Sequence, residues 1–600
     1  MFHTFHIPVL GLGYSIDTPL KVARYGISSV VSIVDDELTE RMRAYHCKLN
    51  GLEYHPIGKT QPESRSQRIT AYLDLLNSLV KKQIKEMKKM SFEGTNDLTA
   101  YFELLPVNAP AAVRYRQMLD AQDPVTRLTL QEELRQAVTA GSIDVNIMSK
   151  VDKINYLNGK MLAEEHTDAL AALRGFARSS LRSSLVISAG MNPRLFSYME
   201  QFKDFYPDKN GSTCKKVILK VSDYRSAMIQ AKVLAKKGIW VSEFRIESGL
   251  NCGGHAFATE GLLIGPILQE FRDNRNDLYT DLYEIYIQGL AAKQPDHPLP
   301  VRPHQNISVQ GGVGTSEEHD FLISHYQLDK VGWGSPFLLV PEATNVDEQT
   351  LKDLASAAED DFYLSNASPL GVPFNNFRKS SSEQQRLERI SLGKPGSPCT
   401  KKYLCSNTEF TVKPICTASR QYQRLKISQL NESGLSEEEL QQQIGAVTEK
   451  VCLCEGLCAS VYLKNEQLKS KENKAVSICP GPNIAYFNRP YSLREMTGHI
   501  YGRYDLLRGI ERPNLFIKEL DLYISYFRKQ FEQLRDDLKK QKYLNKFYDQ
   551  LVNGINYYTT LGAEADKKLQ LWNTSQQKRL DHSISILRAI LGKGSVPANG

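Results

Sequence analysis

Through the first 340 residues, short apolar runs end again and again in Gly-, Asn- or Ser-rich turns. They are HIPVLGLG at 6–13, SSVVSIV at 28–34, SIDVNIM at 142–148 and SLVISAG at 184–190, then KKVILKV at 215–221, GIWVSEF at 238–244, NISVQGG at 306–312 and KVGWGS at 330–335. Runs of this length without strict polar alternation predict strands buried on both faces, as in a parallel sheet. Between several of them the period changes to that of a helix: in Tyr224 to Lys237, Ala227, Met228, Ala231, Leu234 and Ala235 share one face. Strand followed by helix, repeated, predicts an α/β barrel or a doubly wound sheet.

The rhythm breaks at about residues 61–140. There Ile69, Tyr72, Leu73, Leu76, Leu79, Val80, Ile84 and Met87 fall at helical spacing, which predicts a helical insertion. Around Ser380 to Pro398 the composition turns to Ser, Gln, Arg, Gly and Pro, which suits a linker or an exposed excursion, with the barrel ending shortly before it. Beyond Arg512, Pro513 sits where a first helical turn tolerates it. Phe516, Leu520, Tyr523, Ile524, Phe527, Phe531 and Leu534 then mark one apolar packing face. The expected division is a barrel over 1–378 carrying the insertion, a Cys-rich region over 379–510 and a helical region over 511–600.

At 600 residues the chain exceeds the ~250–300 at which a single core stops growing, so a barrel leaves room for more. A content of 41% hydrophobic and 24% charged residues places it with ordinary globular chains. The net charge of +7 is a mild excess, not the clustered basic stripe of a nucleic-acid binder, and runs such as KKQIKEMKK read as solvated helix surface. MFHTFHIPVLGLGYS has no secretory pattern and no apolar run is long enough to span a bilayer. A cytoplasmic protein without a membrane partner is therefore expected, and a homo-oligomer is compatible with the sequence.

Two stretches carry candidate chemistry. In GIWVSEFRIESGLNCGGHAFATEG an apolar strand opens into a turn with Gly253, Gly254 and His255, where bare backbone can approach a ligand closely. NISVQGGVGTSEEHDFLISHYQLDKVGWGSPFLLVPEA then supplies strand, glycine turn, helix, strand and a second glycine turn in succession. In barrels the loops after the seventh and eighth strands commonly cradle an anion with main-chain N–H groups. Gly311, Gly312, Val313, Gly334 and Ser335 are the candidates here.

These blocks carry a family resemblance. GGH at 253–255, GGVGTSEE and GWGSPFLLVPEA are similar to the corresponding blocks of nitronate monooxygenases, the 2-nitropropane dioxygenase-like superfamily, and of related flavin-dependent enoyl reductases. HIPVLGLGYSIDTPLKVARYGI resembles the family's first strand and loop, SLVISAGMNP its fourth strand and SNASPLGVPFNNF its post-barrel motif. The resemblance covers roughly Met1 to Arg378. It implies an α/β fold, an FMN-binding TIM (β/α)8 barrel with a helical insertion, followed by a mainly helical, Cys-containing C-terminal domain. It also implies FMN at the carboxyl ends of the strands, its phosphate on the two glycine turns and its ring near Leu10, Gly11, Ser188 and Gly190. His255 matches the family's base, which removes a proton beside a nitro group, and an imidazole is suited to that transfer near neutral pH. Lys220, at the end of KKVILKV, is a candidate for stabilising negative charge on the ring. The first loop departs from the family, with GLGYS in place of the usual Pro and Met, and Cys252 directly precedes GGH.

Seven of the ten cysteines fall late in the chain. Cys399, Cys405 and Cys416 form C-x5-C-x10-C, which loosely resembles the cluster-binding run of glutamate synthases. Cys452, Cys454 and Cys458 form C-x-C-x3-C, and Cys479 follows in SICPGPN. Such thiolates suit an iron–sulfur cluster, suit zinc equally well, and are also common as small buried apolar groups. The leading expectation is an FMN-dependent oxidoreductase acting on a small-molecule substrate with His255 as acid or base. A nitronate monooxygenase needs only oxygen as acceptor, whereas an enoyl reductase-like or glutamate synthase-like enzyme needs a nicotinamide or ferredoxin electron donor. A flavin-free zinc-binding scaffold remains the reading from another class.

Overall fold

Each of the eight apolar runs becomes one strand of a closed parallel barrel. The structure is a computed structural model that describes residues 3–148, 152–188, 190–294, 302–534, 537–565 and 571–592. The strands are β1 (Phe5–Ile7), β2 (Ser28–Ser32), β3 (Ile143–Ile147), β4 (Ser183–Ile187), β5 (Lys215–Val221), β6 (Val241–Glu247), β7 (Asn306–Gln310) and β8 (Lys330–Gly332). Neighbours in sequence are neighbours in space, and β1 pairs with β8 through Phe5 opposite Val331 and His6 opposite Gly332, which closes the ring. The α/β barrel predicted from the strand–helix rhythm is therefore the observed architecture, and a doubly wound sheet is not.

The period of two along each strand decides what fills the barrel. Val30, Val186 and Ile218, on β2, β4 and β5, pack together with Val9 as one small apolar cluster. Across from them the interior is charged. Arg245 is 2% exposed, with its guanidinium 2.7 Å from Glu243 and 3.8 Å from Asp144, while the Ser308 hydroxyl donates to Glu243 at 2.6 Å. An ion pair this deep keeps its charges only because each is matched, since desolvation otherwise outweighs the attraction.

Between β2 and β3 the chain is helical, as expected, but its parts differ in role. Ser64–Met87 buries Ile69, Tyr72, Leu73, Leu76, Leu79 and Val80 in the main core. It packs on the helix Asp168–Arg178 so closely that a Cβ on Gly175 would lie 2.8 Å from Ile69. This helix is thus part of the barrel's own helical layer. Asp97–Leu104, Pro110–Asp120 and Pro124–Ala137 build a separate small core around Phe92, Leu98, Phe102, Tyr115, Met118 and Leu134.

After β8 an antiparallel hairpin, β9 (Phe362–Ser365) and β10 (Phe374–Phe377), crosses the mouth of the barrel. The Ser380 to Pro398 stretch, expected as a linker or an exposed excursion, is largely exposed and carries a helix, Ser381–Ser391, whose first turn is capped where the Ser380 hydroxyl accepts the Glu383 N–H. Capping by Ser is a strong helix start that a reading of composition alone hides. The last region is helical, Leu515–Leu534, Leu538–Ala565 and Thr574–Gly592. Phe516, Leu520, Tyr523, Ile524, Phe527 and Phe531 are buried as the spacing predicts. Pro513 lies outside the helix, because Asn514 is the residue whose side chain accepts the N–H groups of Phe516 and Ile517. Among the described residues no helix is long and apolar enough to cross a membrane.

Candidate functional site

At the carboxyl ends of the strands lies a cavity of about 570 Å³, within the range of small-molecule and cofactor sites. Its floor follows from the pleat. Ser32, Asn146, Ser188, Lys220, Glu247 and Gln310 are at or just beyond the ends of β2 to β7, each two residues on from an inward-facing position. Together they present a polar ring to the cavity. Lys220 does not present an unmatched charge: its Nζ is 3.0 and 3.2 Å from the two Glu247 carboxylate oxygens, and Gln310 Nε2 donates to Glu247 at 2.6 Å. Nearby, burial and then the charge of Glu247 push the Cys252 thiol well up, so this cysteine is held neutral.

The candidate flavin residues Leu10, Gly11, Ser188, Lys220, Gly253, Gly254, Gly311, Gly312, Val313, Gly334 and Ser335 all line this cavity, and so does His255. Gly190 does not. It lines a second cavity of about 380 Å³ beside the first, with Met191, Ile229 and Phe257 in its wall and Glu247, His255 and Phe257 shared between the two.

The two late turns are built to hold backbone outward. Gly312 has φ +79°, and a Cβ there would fall 2.0 Å from the Asn251 side chain, so only glycine fits. Arg512 holds the turn from behind: its guanidinium donates to the Gly312 carbonyl at 2.6 Å, to Asn483 Oδ1 at 2.8 Å and to both oxygens of the buried Glu318. Glu318 in turn accepts the Gly314 and Thr315 N–H groups, so the start of the helix Ser316–His325 is already occupied by a carboxylate. Among the described residues, the N–H groups of Gly312, Val313, Gly334 and Ser335 have no acceptor within the protein. Ser335 Oγ is engaged, accepting the Gly481 N–H at 2.7 Å.

These features test the fit of FMN. Four main-chain donors on two facing turns suit a terminal phosphate. Ser32 Oγ, Asn251 Oδ1 and Gln310 Oε1 are buried polar atoms without a protein partner, and Ser32, Asn251 and Gln310 line the same cavity, where a polar ring system would satisfy them. The residues present fit the group.

His255 stands at the boundary of the two cavities. Its Nε2 is 2.6 Å from Ser368 Oγ and its ring meets Phe374 edge-on at 5.1 Å. The GGH loop is laced to the hairpin, with Asn375 N donating to the Gly254 carbonyl and Ala256 N to the Pro373 carbonyl. It is laced equally to the late segment: Gly254 N donates to the Cys479 carbonyl, and a Cβ on Gly253 would lie 2.6 Å from that oxygen.

The seven late cysteines are not one ligand set. Cys458 lies apart, its thiol 3.5 Å from Asp35 Oδ2, which Lys401 also contacts. Cys479 lines the cavity beneath the GGH loop, where burial pushes its thiol up to about 12. Cys399 and Cys405 approach to 3.7 Å, and all seven are free thiols. Among the described residues, no three His, Cys, Asp or Glu side chains are placed to hold a single metal ion, so neither the seven together nor a ready-made zinc centre is present.

Sequence reasoning missed the cavity's outer wall. Leu370, Val372 and Phe374 come from the hairpin, Tyr403, Leu404, Leu453, Cys454 and Leu457 from the Cys-rich region, and Ile478, Pro480 and Asn483 from SICPGPN. No local pattern marks them, because they reach the site only through tertiary packing. Asn146, Glu247 and Gln310 were within reach, since the two-residue strand period identifies the last inward position of each strand.

No family model matches the chain, and none of the curated proteins matches it. Among solved structures it is similar to FabK from Thermotoga maritima, at 12% identity and a TM-score of 0.30, over 64% of this chain and 83% of that one. It is also similar to the enoyl reductase domain of MlnA from the macrolactin biosynthesis cluster of Bacillus amyloliquefaciens, at 14% identity and a TM-score of 0.34, over 69% of this chain and 90% of that one.

Proposed function

We propose that this chain is an FMN-dependent oxidoreductase, of the nitronate monooxygenase-like kind, in which His255 moves a proton to or from a small organic substrate. The observation that carries the reading is the set of acceptor-free N–H groups of Gly312, Val313, Gly334 and Ser335 on two turns lining one cavity with His255. Bound there, FMN supplies the two-electron redox chemistry. The chain's own contribution is positional: Arg512 and Asn251 fix the phosphate turn, and the hairpin holds His255 at the cavity's edge. The Lys220–Glu247 pair keeps the floor near neutrality.

A second reading has its own support. The adjoining cavity of about 380 Å³, walled by Met191, Ile229 and Phe257 and opening at His255, has room for an apolar chain that a small nitroalkane does not need. It favours reduction of an activated carbon–carbon double bond, with His255 beside the carbon that gains the proton and a nicotinamide or ferredoxin as electron source. The test is the anaerobic spectrum of the purified protein, before and after reductant, with the released chromophore identified. A yellow protein releasing FMN is expected, and a colourless protein that neither contains nor takes up FMN overturns both readings. Consumption of oxygen with a nitronate, against oxidation of reduced nicotinamide with a conjugated enoyl thioester, separates the two.

A further inference from the structure

The segment from Cys399 to Cys405 folds back on itself against the cavity wall. Cys399 and Lys402 both adopt left-handed φ, +56° and +57°, a costly conformation for residues other than glycine that bends the chain from Cys399 round to Cys405. The result is a pair of thiols in contact: the two sulfurs lie 3.7 Å apart and both are free. Cys399 is buried and Cys405 half-buried, so a reagent arriving from solvent meets Cys405 first.

The residues between the two cysteines are pinned to the barrel and to the helix Leu453–Lys464. Thr400 donates its hydroxyl to Glu455, Lys401 Nζ contacts Asp35, and the Tyr403 hydroxyl donates to Asp35 at 3.0 Å and to Asp36 at 3.2 Å. Asp35 and Asp36 lie just beyond β2, and Tyr403 and Leu404 line the cavity. Sulfurs already in contact need to approach by only ~1.7 Å more to reach the ~2.0 Å of a bond. A disulfide needs one such contact and no third ligand.

We propose that Cys399 and Cys405 interconvert between this dithiol and a disulfide, and that oxidation locks Tyr403 and Leu404 in the cavity wall. The oxidant is a small-molecule disulfide. The Cys405 thiolate attacks one of its sulfurs and expels a thiolate, and the Cys399 thiolate then attacks the Cys405 sulfur of the mixed disulfide and expels the second. One S–S bond breaks and one forms, the cysteines give up two electrons, and their two protons leave with two small thiols. Contact with Cys399 and then burial hold the Cys405 thiol well above its ordinary value, so the exchange is slow and is read at equilibrium.

The test equilibrates the full chain anaerobically in glutathione buffers running from reduced to oxidised, then alkylates and digests it. The peptides are mapped by mass spectrometry, with fragmentation to separate Cys405 from Cys416. A Cys399–Cys405 linkage that forms as the oxidised fraction rises and vanishes on return to reduced buffer is expected, with loss of two free thiols per chain and slower amide exchange over 400–404. Cys405→Ser should abolish the linkage and the slowed exchange while keeping the circular dichroism spectrum, and Cys47→Ser with Cys214→Ser should keep the linkage. Glutathione mixed disulfides without the internal linkage, preferential pairing of Cys399 with Cys416, or unchanged thiol content at every ratio overturns the proposal, as does a linkage that leaves exchange over 400–404 unaltered. The pairing does not rest on the flavin reading, so a linkage in a protein that takes up no FMN defeats that reading alone.

Discussion

His255 Nε2 lies 2.6 Å from the hydroxyl oxygen of Ser368, a residue 113 positions later that follows the hairpin's first strand. The contact couples the candidate acid/base to a segment outside the barrel. His255→Ala is expected to keep its flavin and to lose turnover by roughly 10²–10⁴-fold, the usual worth of a positioned proton carrier. Ser368→Ala should leave flavin content unchanged but displace the pH profile of kcat/KM, because the hydroxyl selects the ring's tautomer and orientation. Steady-state rates across pH, with flavin occupancy measured alongside, check both.

Two glycines with the same φ should behave differently. Gly254 and Gly312 both have φ +79°, but a Cβ meets nothing within 4 Å at Gly254 and meets Asn251 at 2.0 Å at Gly312. Gly254→Ala should cost roughly 1–2 kcal/mol of backbone strain and retain FMN. Gly312→Ala should lose FMN, since the turn must move to admit the methyl group. Thermal unfolding and the FMN released per chain read the contrast.

Arg512 and Glu318 form a buried pair at 2.7 Å that joins the last helical region to the phosphate turn. Arg512→Met leaves the Glu318 carboxylate, which is fully buried, without its countercharge. A loss of about 3–5 kcal/mol in unfolding free energy is expected, with weakened FMN retention because the Gly312 carbonyl loses its donor. Denaturant unfolding with and without added FMN measures both effects.

Glu519 reaches from the helix Leu515–Leu534 into the barrel mouth, where it accepts the Ser248 hydroxyl at 2.5 Å and the Ile264 N–H at 2.7 Å. Burial pushes its carboxyl up to about 7 from the usual 4.5. A raised carboxyl favours folding in its neutral form, so this contribution is complete below about 4.5 and is lost as the pH climbs through about 7. The slope approaches ~1.4 kcal/mol per pH unit in that window. Glu519→Gln, which stays neutral, should flatten the stability profile there, as urea midpoints at a series of pH values will show. An unchanged slope would remove Glu519 as its source.

The strand runs were legible because a barrel strand is buried on both faces, and burial imposes an apolar run whatever the neighbours are. The glycine turns were legible for a related reason: Gly312 can be nothing else where Asn251 presses against it. The helix at Ser381–Ser391 was not legible because the composition there suits a linker or an exposed excursion, and only the Ser380 hydrogen bond reveals the cap. Lys220 lines the cavity, but the pairing of its charge was not legible along the chain, since Glu247 lies 27 residues away and on the next strand.

Local order along the chain was enough to establish eight strands, their parallel sense, the late glycine turns and a histidine at a strand's carboxyl end. Those features depend on burial and on backbone conformation, which neighbouring residues largely dictate. Tertiary structure alone decided which long-range partners meet: Ser368 with His255, and Arg512 with Gly312. Such pairings depend on loop paths and on packing between residues up to 200 or more positions apart, and no periodicity records them.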